Sequence, residues 1–198
     1  MKAMVWNIRG FGARGCRDQI RDLVRDANVD LVCLIETFKA SFSNNELSSI
    51  AGPIIFVWRC LPAFGHSGGI LIGAKLDYID FMEFDHRIFW ASMVVFHKSL
   101  NILWEIMVVY GLADHSLSSL LLDEITTKID SCNLPLVIGG DFNLLRFPGE
   151  NNNSNFSWPL ADVFNDFIAE CALHKIPRTG SCFTWSNHQA NLIRSSQL

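Results

Sequence analysis

Asp141 and Asn143 are the residues whose types and spacing best suit chemistry. They close the stretch Leu136-Val137-Ile138-Gly139-Gly140-Asp141-Phe142-Asn143. Its apolar run is too short and too rich in β-branched residues for a surface helix, and reads as the end of a buried strand. The two glycines let the backbone turn sharply or let a ligand come close. If the extended geometry persists, side chains two apart point the same way. Asp141 and Asn143 then face one spot, with Phe142 turned into the core. A carboxylate beside a carboxamide at the mouth of an α/β sheet suits hydrolysis. The same residue types also make an ordinary turn.

Other polar residues stand at the ends of predicted strands. Asn7 ends Ala3 to Asn7, and Glu36 ends the apolar run Leu31-Val32-Cys33-Leu34-Ile35. A carboxylate there lies where open α/β sheets hold their ligands, or it simply reaches solvent. Tyr110 ends the strand from Ile102, with its hydroxyl at the site or its ring in the core. Arg9 and Arg14 sit in a glycine-rich loop, Arg9-Gly10-Phe11-Gly12-Ala13-Arg14-Gly15, which lacks the spacing of a P-loop or a dinucleotide fingerprint. His66, in the loop Phe64 to Gly69, is a ligand or plain surface.

The elements that must position these residues follow from periodicity. A helix is predicted over Cys16 to Asn28, with Ile20, Leu23, Val24 and Ala27 on one face. Its charged residues Arg17, Arg21, Asp22, Arg25 and Asp26 form a solvated opposite face. With the strands on either side it makes a β-α-β unit. A short helix over Asn44 to Ile50 and a strand over Ile54 to Trp58 come next. Gly69 to Ala74, Tyr78 to Phe84, Ile88 to Phe96 and Ile102 to Tyr110 then read as one antiparallel meander. A helix capped by Asp114 or Ser116 buries Leu117, Leu120, Leu121, Ile125 and Ile129. A last helix starts at Ser157-Trp158-Pro159, buries Leu160, Val163, Phe164, Phe167, Ile168 and Cys171, and is closed by Lys175 and Pro177. Another strand begins at Cys182-Phe183-Thr184-Trp185.

The 198 residues, 49% hydrophobic and 18% charged, suit one globular domain and not a disordered chain. No apolar run reaches membrane-spanning length, and no signal-peptide core opens the chain. The six cysteines form no Cys-x-x-Cys pair, which disfavours a zinc site; Cys33 and Cys171 read as buried thiols of a reducing compartment. A net charge of −4 counts against wrapping nucleic acid by electrostatics alone, yet permits an enzyme that touches a few phosphates.

The order and spacing of Trp6-Asn7, Ile35-Glu36-Thr37, Val109-Tyr110-Gly111 and Gly140-Asp141-Phe142-Asn143 resemble the endonuclease/exonuclease/phosphatase superfamily. Trp6-Asn7-Ile8-Arg9-Gly10, Gly65-His66-Ser67-Gly68-Gly69-Ile70 and Gly180-Ser181-Cys182-Phe183-Thr184-Trp185-Ser186-Asn187 are similar to the endonuclease domain of plant LINE-type retrotransposons, which precedes a reverse transcriptase. The resemblance implies a DNase I-like α/β fold, a four-layer sandwich of two packed mixed β-sheets flanked by helices. It also implies Mg²⁺-dependent (or Mn²⁺-dependent) phosphodiester hydrolysis on DNA, in the nucleus or cytoplasm. Phosphoester hydrolysis is so slow unaided that a metal is expected to neutralise the developing charge. On this resemblance Glu36 is the metal carboxylate and Asn7 lies in the same shell. Asp141 positions and deprotonates water, and Asn143 and Tyr110 hydrogen-bond the phosphate. Arg9 and Arg14 are candidates for DNA-backbone contacts, and Trp185 for stacking or for core packing.

The family's site also uses a later strand Asp and a near-C-terminal Ser-Asp-His. The sequence reaches Arg194-Ser195-Ser196-Gln197-Leu198 about where that Asp strand would begin. Asp85-His86 and Asp114-His115 lie too far upstream to replace the pair. Leu112 stands where relatives often have Pro. The expectation is therefore a single domain, 1–198, without its last strands. Its function reads as a DNA endonuclease domain of retrotransposon origin, weak or inactive as it stands. The alternatives are a non-catalytic transposon-derived binding module and a small-molecule phosphoesterase of the same superfamily.

Overall fold

A computed structural model describes residues 1–64, 68–112, 114–150 and 156–177, together with the backbone of 185–186 and 194–195. The chain forms two compact units: Met1–Tyr110 with Cys132–Gly140, and Gly111–Ser131 with Asp141–Leu198.

The first unit holds two mixed four-stranded sheets. In the first sheet, β1 (Ala3–Asn7) lies parallel to β2 (Leu31–Ile35), with Asn7 opposite Ile35. Beyond β2 come β4 (Ile70–Lys75) and then β3 (Phe56–Leu61), both pairings antiparallel. The β1-helix-β2 unit is as expected, its helix α1 spanning Arg14–Asp26. Ile20 and Val24 of α1 pack with Ile50 of α2 (Asn44–Ala51) onto Val32, Leu34 and Leu71 of the sheet. Leu23 is exposed, which narrows the expected apolar face. On the outer face Arg21 and Arg25 pair with Asp18, Asp22 and Asp26, which makes it the solvated surface anticipated.

The second sheet runs β5 (Ile79–His86), β6 (Trp90–His97), β7 (Ile102–Tyr110), β8 (Leu136–Asp141). The first three are antiparallel, with a bulge in β5 between Phe81 and Glu83. Glu105 N donates to Pro135 O and Gly111 N to Asp141 O, six residues further along both segments, so β8 runs parallel to β7. Two expectations are corrected here. The four-strand meander is broken: β4 belongs to the first sheet and the chain changes sheets in the turn before β5. All six residues of β4 are buried, because it lies between β2 and β3, whereas β5, at the edge of its sheet, keeps only Ile79 fully buried. Nor is β8 a fully buried strand. Leu136 and Ile138 are partly exposed and Val137 is 37% exposed, because β8 stands last in its sheet among the described residues. The two sheets pack face to face, and Arg59 of β3 lies 4.2 Å from the Phe81 ring centroid of β5. The α/β class with two packed mixed sheets is thus the one observed.

The second unit contains α3 (Ser118–Ser131) and α4 (Trp158–Glu170), which pack on each other. A 3-10 turn, His115–Leu117, precedes α3, and Asp114 caps it by accepting from Ser116 N at 3.0 Å. The buried face of α3 is Ser118, Leu121, Leu122 and Ile125. Leu117 and Leu120, expected inside, are exposed, because the 3-10 turn rotates the face relative to a helix begun at Leu117. In α4, Pro159 occupies the first turn, and Ala161, Phe164 and Phe167 are buried, with Val163 exposed. Strands β9 (Trp185–Ser186) and β10 (Arg194–Ser195) pair antiparallel. Among the described residues no helix is long and apolar enough to cross a membrane.

Local chemistry explains one boundary well. Ser43 begins α2 with a capping box: its hydroxyl accepts from Glu46 N, and the Glu46 carboxylate accepts from Ser43 N at 2.9 Å. Lys39 also reaches that carboxylate. The Lys39 hydrogen bond, then those from Ser43, hold Glu46 well below its usual range, at about 2. A carboxyl depressed on folding contributes stability above its unfolded value near 4.5, and loses it as pH falls toward 2. Thermal melts of wild type and Glu46→Gln should differ most above pH 5 and converge toward pH 2. Ser43→Ala should cost ~1 kcal/mol. That corresponds to a lower Tm by roughly 2–4 °C.

Candidate functional site

In the first unit the candidate residues are held by a ladder that continues past the strand ends. Ile8 N donates to Ile35 O at 3.0 Å, Gly10 N to Glu36 O at 2.7 Å and Phe11 N to Thr37 O at 3.0 Å. On the other side Thr37 N donates to Gly69 O and Phe38 N to Gly68 O, at 3.3 and 2.7 Å. The segment Glu36–Phe38 is therefore fixed on both edges. Within it the backbone is twisted: φ is +55° at Glu36 and +51° at Phe38, and Arg9 across the ladder has +50°. Non-glycine residues at such angles cost roughly 1–2 kcal/mol each, and the flanking hydrogen bonds hold them there.

The twist ends β2 and turns Glu36 out of the buried run. Its side chain is partly exposed and lies directly against Gly68. A Cβ at position 68 would come within 2.9 Å of Glu36 Cα and 3.0 Å of its Cγ, so only glycine leaves the carboxylate arm its place. Thr37 is buried, and its hydroxyl donates to Gly68 O at 3.5 Å. Asn7, on the adjacent strand end, accepts from Arg9 N through Oδ1 at 3.2 Å, an Asx-type turn that orients its carboxamide. Arg9 is exposed, and so is Arg14 at the first turn of α1. Tyr110 ends β7 and is buried, with its N–H on Phe89 O at 2.8 Å.

In the second unit Asp141, Phe142 and Asn143 form a tight turn. Asp141 is 4% exposed, and its Oδ1 accepts from Asn143 N at 3.0 Å. Asn143 adopts φ +52°, and its Nδ2 donates to Gly111 O at 2.5 Å. Gly111 N in turn donates to Asp141 O at 2.6 Å. The extended geometry on which the shared-face argument depended stops at Asn143. Phe142 is buried as expected and stacks obliquely on Phe164 of α4, centroids 5.2 Å apart. The loop that follows is tied down by Arg146 Nε on Asn165 Oδ1, returned by Asn165 Nδ2 on Arg146 O, and by Arg146 N on Glu150 Oε2 at 2.7 Å.

Asn7 and Glu36 suit Mg²⁺ by donor chemistry. Both offer oxygen, and one carboxylate with an amide oxygen matches an ion that keeps several waters and completes its shell with substrate phosphate. Among the described residues no group of three or more His, Cys, Asp or Glu side chains could hold a metal ion. His66 and the side chain of Trp185 lie outside the described residues. Cys33 is buried, and burial pushes its thiol up to about 12; Cys171 is only half-buried and lies 3.7 Å from the Thr126 hydroxyl. Sequence reasoning passed over two residues beside Glu36. Gly68 forms the wall under the carboxylate, and the Phe38 ring stands out at the mouth. The signal was present for both: a glycine pair before β4, and an aromatic directly after Glu-Thr.

A model of the Endonuclease/Exonuclease/phosphatase family matches residues 4–192. Among solved structures, the AP endonuclease LMAP from Leishmania major superposes with a TM-score of 0.70 at 11% identity, covering 97% of this chain and 78% of that one. The human Nocturnin catalytic domain, solved with a bound sulfate anion, gives 0.55 at 16% identity over 85% of this chain and 69% of that one. A humanized TDP2 from D. rerio gives 0.54 at 16% identity over 74% and 71%. At these identities the likeness is one of fold. No curated protein matches the sequence.

Proposed function

We propose that this chain, which belongs to the endonuclease/exonuclease/phosphatase family, is a phosphodiester-binding module that engages DNA without cleaving it. It descends from an endonuclease of the LINE retrotransposon kind and works in the nucleus or cytoplasm. The observation that carries this reading is the turn Asp141-Phe142-Asn143. The carboxylate that would activate water is buried and holds the N–H of Asn143. The amide that would meet the phosphate donates to Gly111 O. Asp141 thus braces its own turn, and Asn143 ties that turn to the Gly111 segment. In the first unit Glu36 and Asn7 would hold Mg²⁺ (or Mn²⁺), which when bound supplies positive charge for phosphate oxygens. Arg9 and Arg14, exposed beside that ladder, add cationic contacts for the strand's phosphates.

A second reading, an Mg²⁺-dependent DNA endonuclease, is favoured by one observation. Glu36 is kept at a strained φ with a glycine wall under its side chain, and strain of this kind clusters at functional sites. Plasmid nicking and oligonucleotide binding, both with Mg²⁺, separate the two. The binding module is expected to retard a fluorescent oligonucleotide and to leave supercoiled plasmid intact. Nicking by wild type that Asp141→Ala abolishes would replace it with the endonuclease. Nicking that survives Asp141→Ala removes the site assignment, and absence of binding removes the first reading.

A further inference from the structure

The strongest unused feature of the first unit is Phe38. It is 59% exposed, it follows Glu36-Thr37, and it sits at φ +51°. A bulky residue at such an angle is a true outlier, and this one leaves more than half of its side chain in solvent. Its N–H donates to Gly68 O at 2.7 Å, which holds the backbone in that conformation. Across the ladder its ring leans over Gly10, where an added Cβ would come within 3.4 Å of Cδ2. Arg9 precedes that glycine and is exposed. One small region thus presents a carboxylate suited to a divalent cation, an exposed aromatic face and an arginine.

We propose that Phe38 is a stacking platform for an unpaired base of a bound DNA strand, with Arg9 meeting the phosphate beside that base. The inference rests on the phosphodiester-binding reading above and adds what that reading lacks, a contact to the base. Flat aromatic faces take any base, since every base has a π-face, and an arginine beside them supplies the backbone's counter-charge. The occupant is single-stranded because a base inside a duplex has both faces covered by its neighbours.

The test uses the full chain with Mg²⁺ and a single-stranded oligonucleotide carrying 2-aminopurine, whose emission drops on stacking. Wild type should bind and quench it. Phe38→Ala should weaken binding about ten-fold and abolish the quenching. Phe38→Trp should keep both. Phe38→Gly should show the same loss as Phe38→Ala while Tm is not lowered, since glycine accepts the left-handed backbone without strain. Ile55→Ala removes an equally exposed apolar side chain at the opposite end of the first sheet, and should change nothing. Unchanged binding in Phe38→Ala, an equal loss in Ile55→Ala, or a lowered Tm in Phe38→Gly would each overturn the proposal while leaving the binding module standing. No oligonucleotide binding at all overturns both.

Discussion

Replacing Gly140 by alanine should lower the melting temperature by roughly 8–16 °C. Among the described glycines with a left-handed φ, this one brings a would-be Cβ closest to backbone. Gly140 has φ +149°, and a Cβ there would lie 2.1 Å from Val109 O and 2.8 Å from Val109 N. The obstacle is backbone, so no rotamer change relieves it. Either β7 and β8 separate at their carboxyl ends or the residue leaves its conformation. Both routes break the close approach of the two strands, for a cost of about 4 kcal/mol. Gly149 is the control: its φ is not left-handed and no atom lies within 4 Å of its ideal Cβ, so Gly149→Ala should melt like wild type. A Gly140→Ala protein within 2 °C of wild type would show that this crossing is looser than described.

The second large effect concerns Glu36. Glu36→Gln should raise the Mg²⁺ concentration needed for oligonucleotide binding by about 100-fold, the upper end of effects at metal-site partners. The substitution keeps the shape and the strained φ, so Tm should stay within a degree or two. The carboxylate is the single acidic group in the two segments of the ladder, Asn7 to Phe11 and Ile35 to Phe38, and an amide in its place offers Mg²⁺ a neutral ligand. Gly68→Ala tests the same point without touching the carboxylate. A methyl group 2.9 Å from Glu36 Cα must displace Glu36 or strand-end backbone, and should raise the Mg²⁺ requirement in the same direction, by about 10-fold. If binding depends on Mg²⁺ and neither variant changes that dependence, the cation is held elsewhere. If binding is independent of Mg²⁺ in wild type, Glu36 has no part in it.

Much of the architecture was legible because hydrophobic periodicity reports burial directly. The β1-α1-β2 unit, the short helix α2 and the proline start of α4 all follow from local patterns with local causes. What periodicity cannot register is which sheet a strand joins. β4 and β5 are joined by a short turn, and nothing in that turn says that β4 pairs back to β2 while β5 starts a new sheet. The burial of β8 was misjudged for the same reason. An apolar run describes the side chains, while exposure depends on which strands lie beside them.

The candidate site divides along the same line. The residue types at Asn7, Glu36, Tyr110, Asp141 and Asn143, and their places at strand ends, were determined by the sequence alone, since polar residues that follow apolar runs mark where a strand leaves the core. Their orientation was decided only by the tertiary structure. Glu36 and Asn143 both take left-handed φ angles, a choice imposed by hydrogen bonds to segments distant in sequence: Gly68 and Gly69 for Glu36–Phe38, and Gly111 for Asn143. A backbone angle that costs energy locally persists only where remote partners hold it. Sequence spacing therefore named the residues, while the direction in which each one points was set by contacts that spacing does not contain.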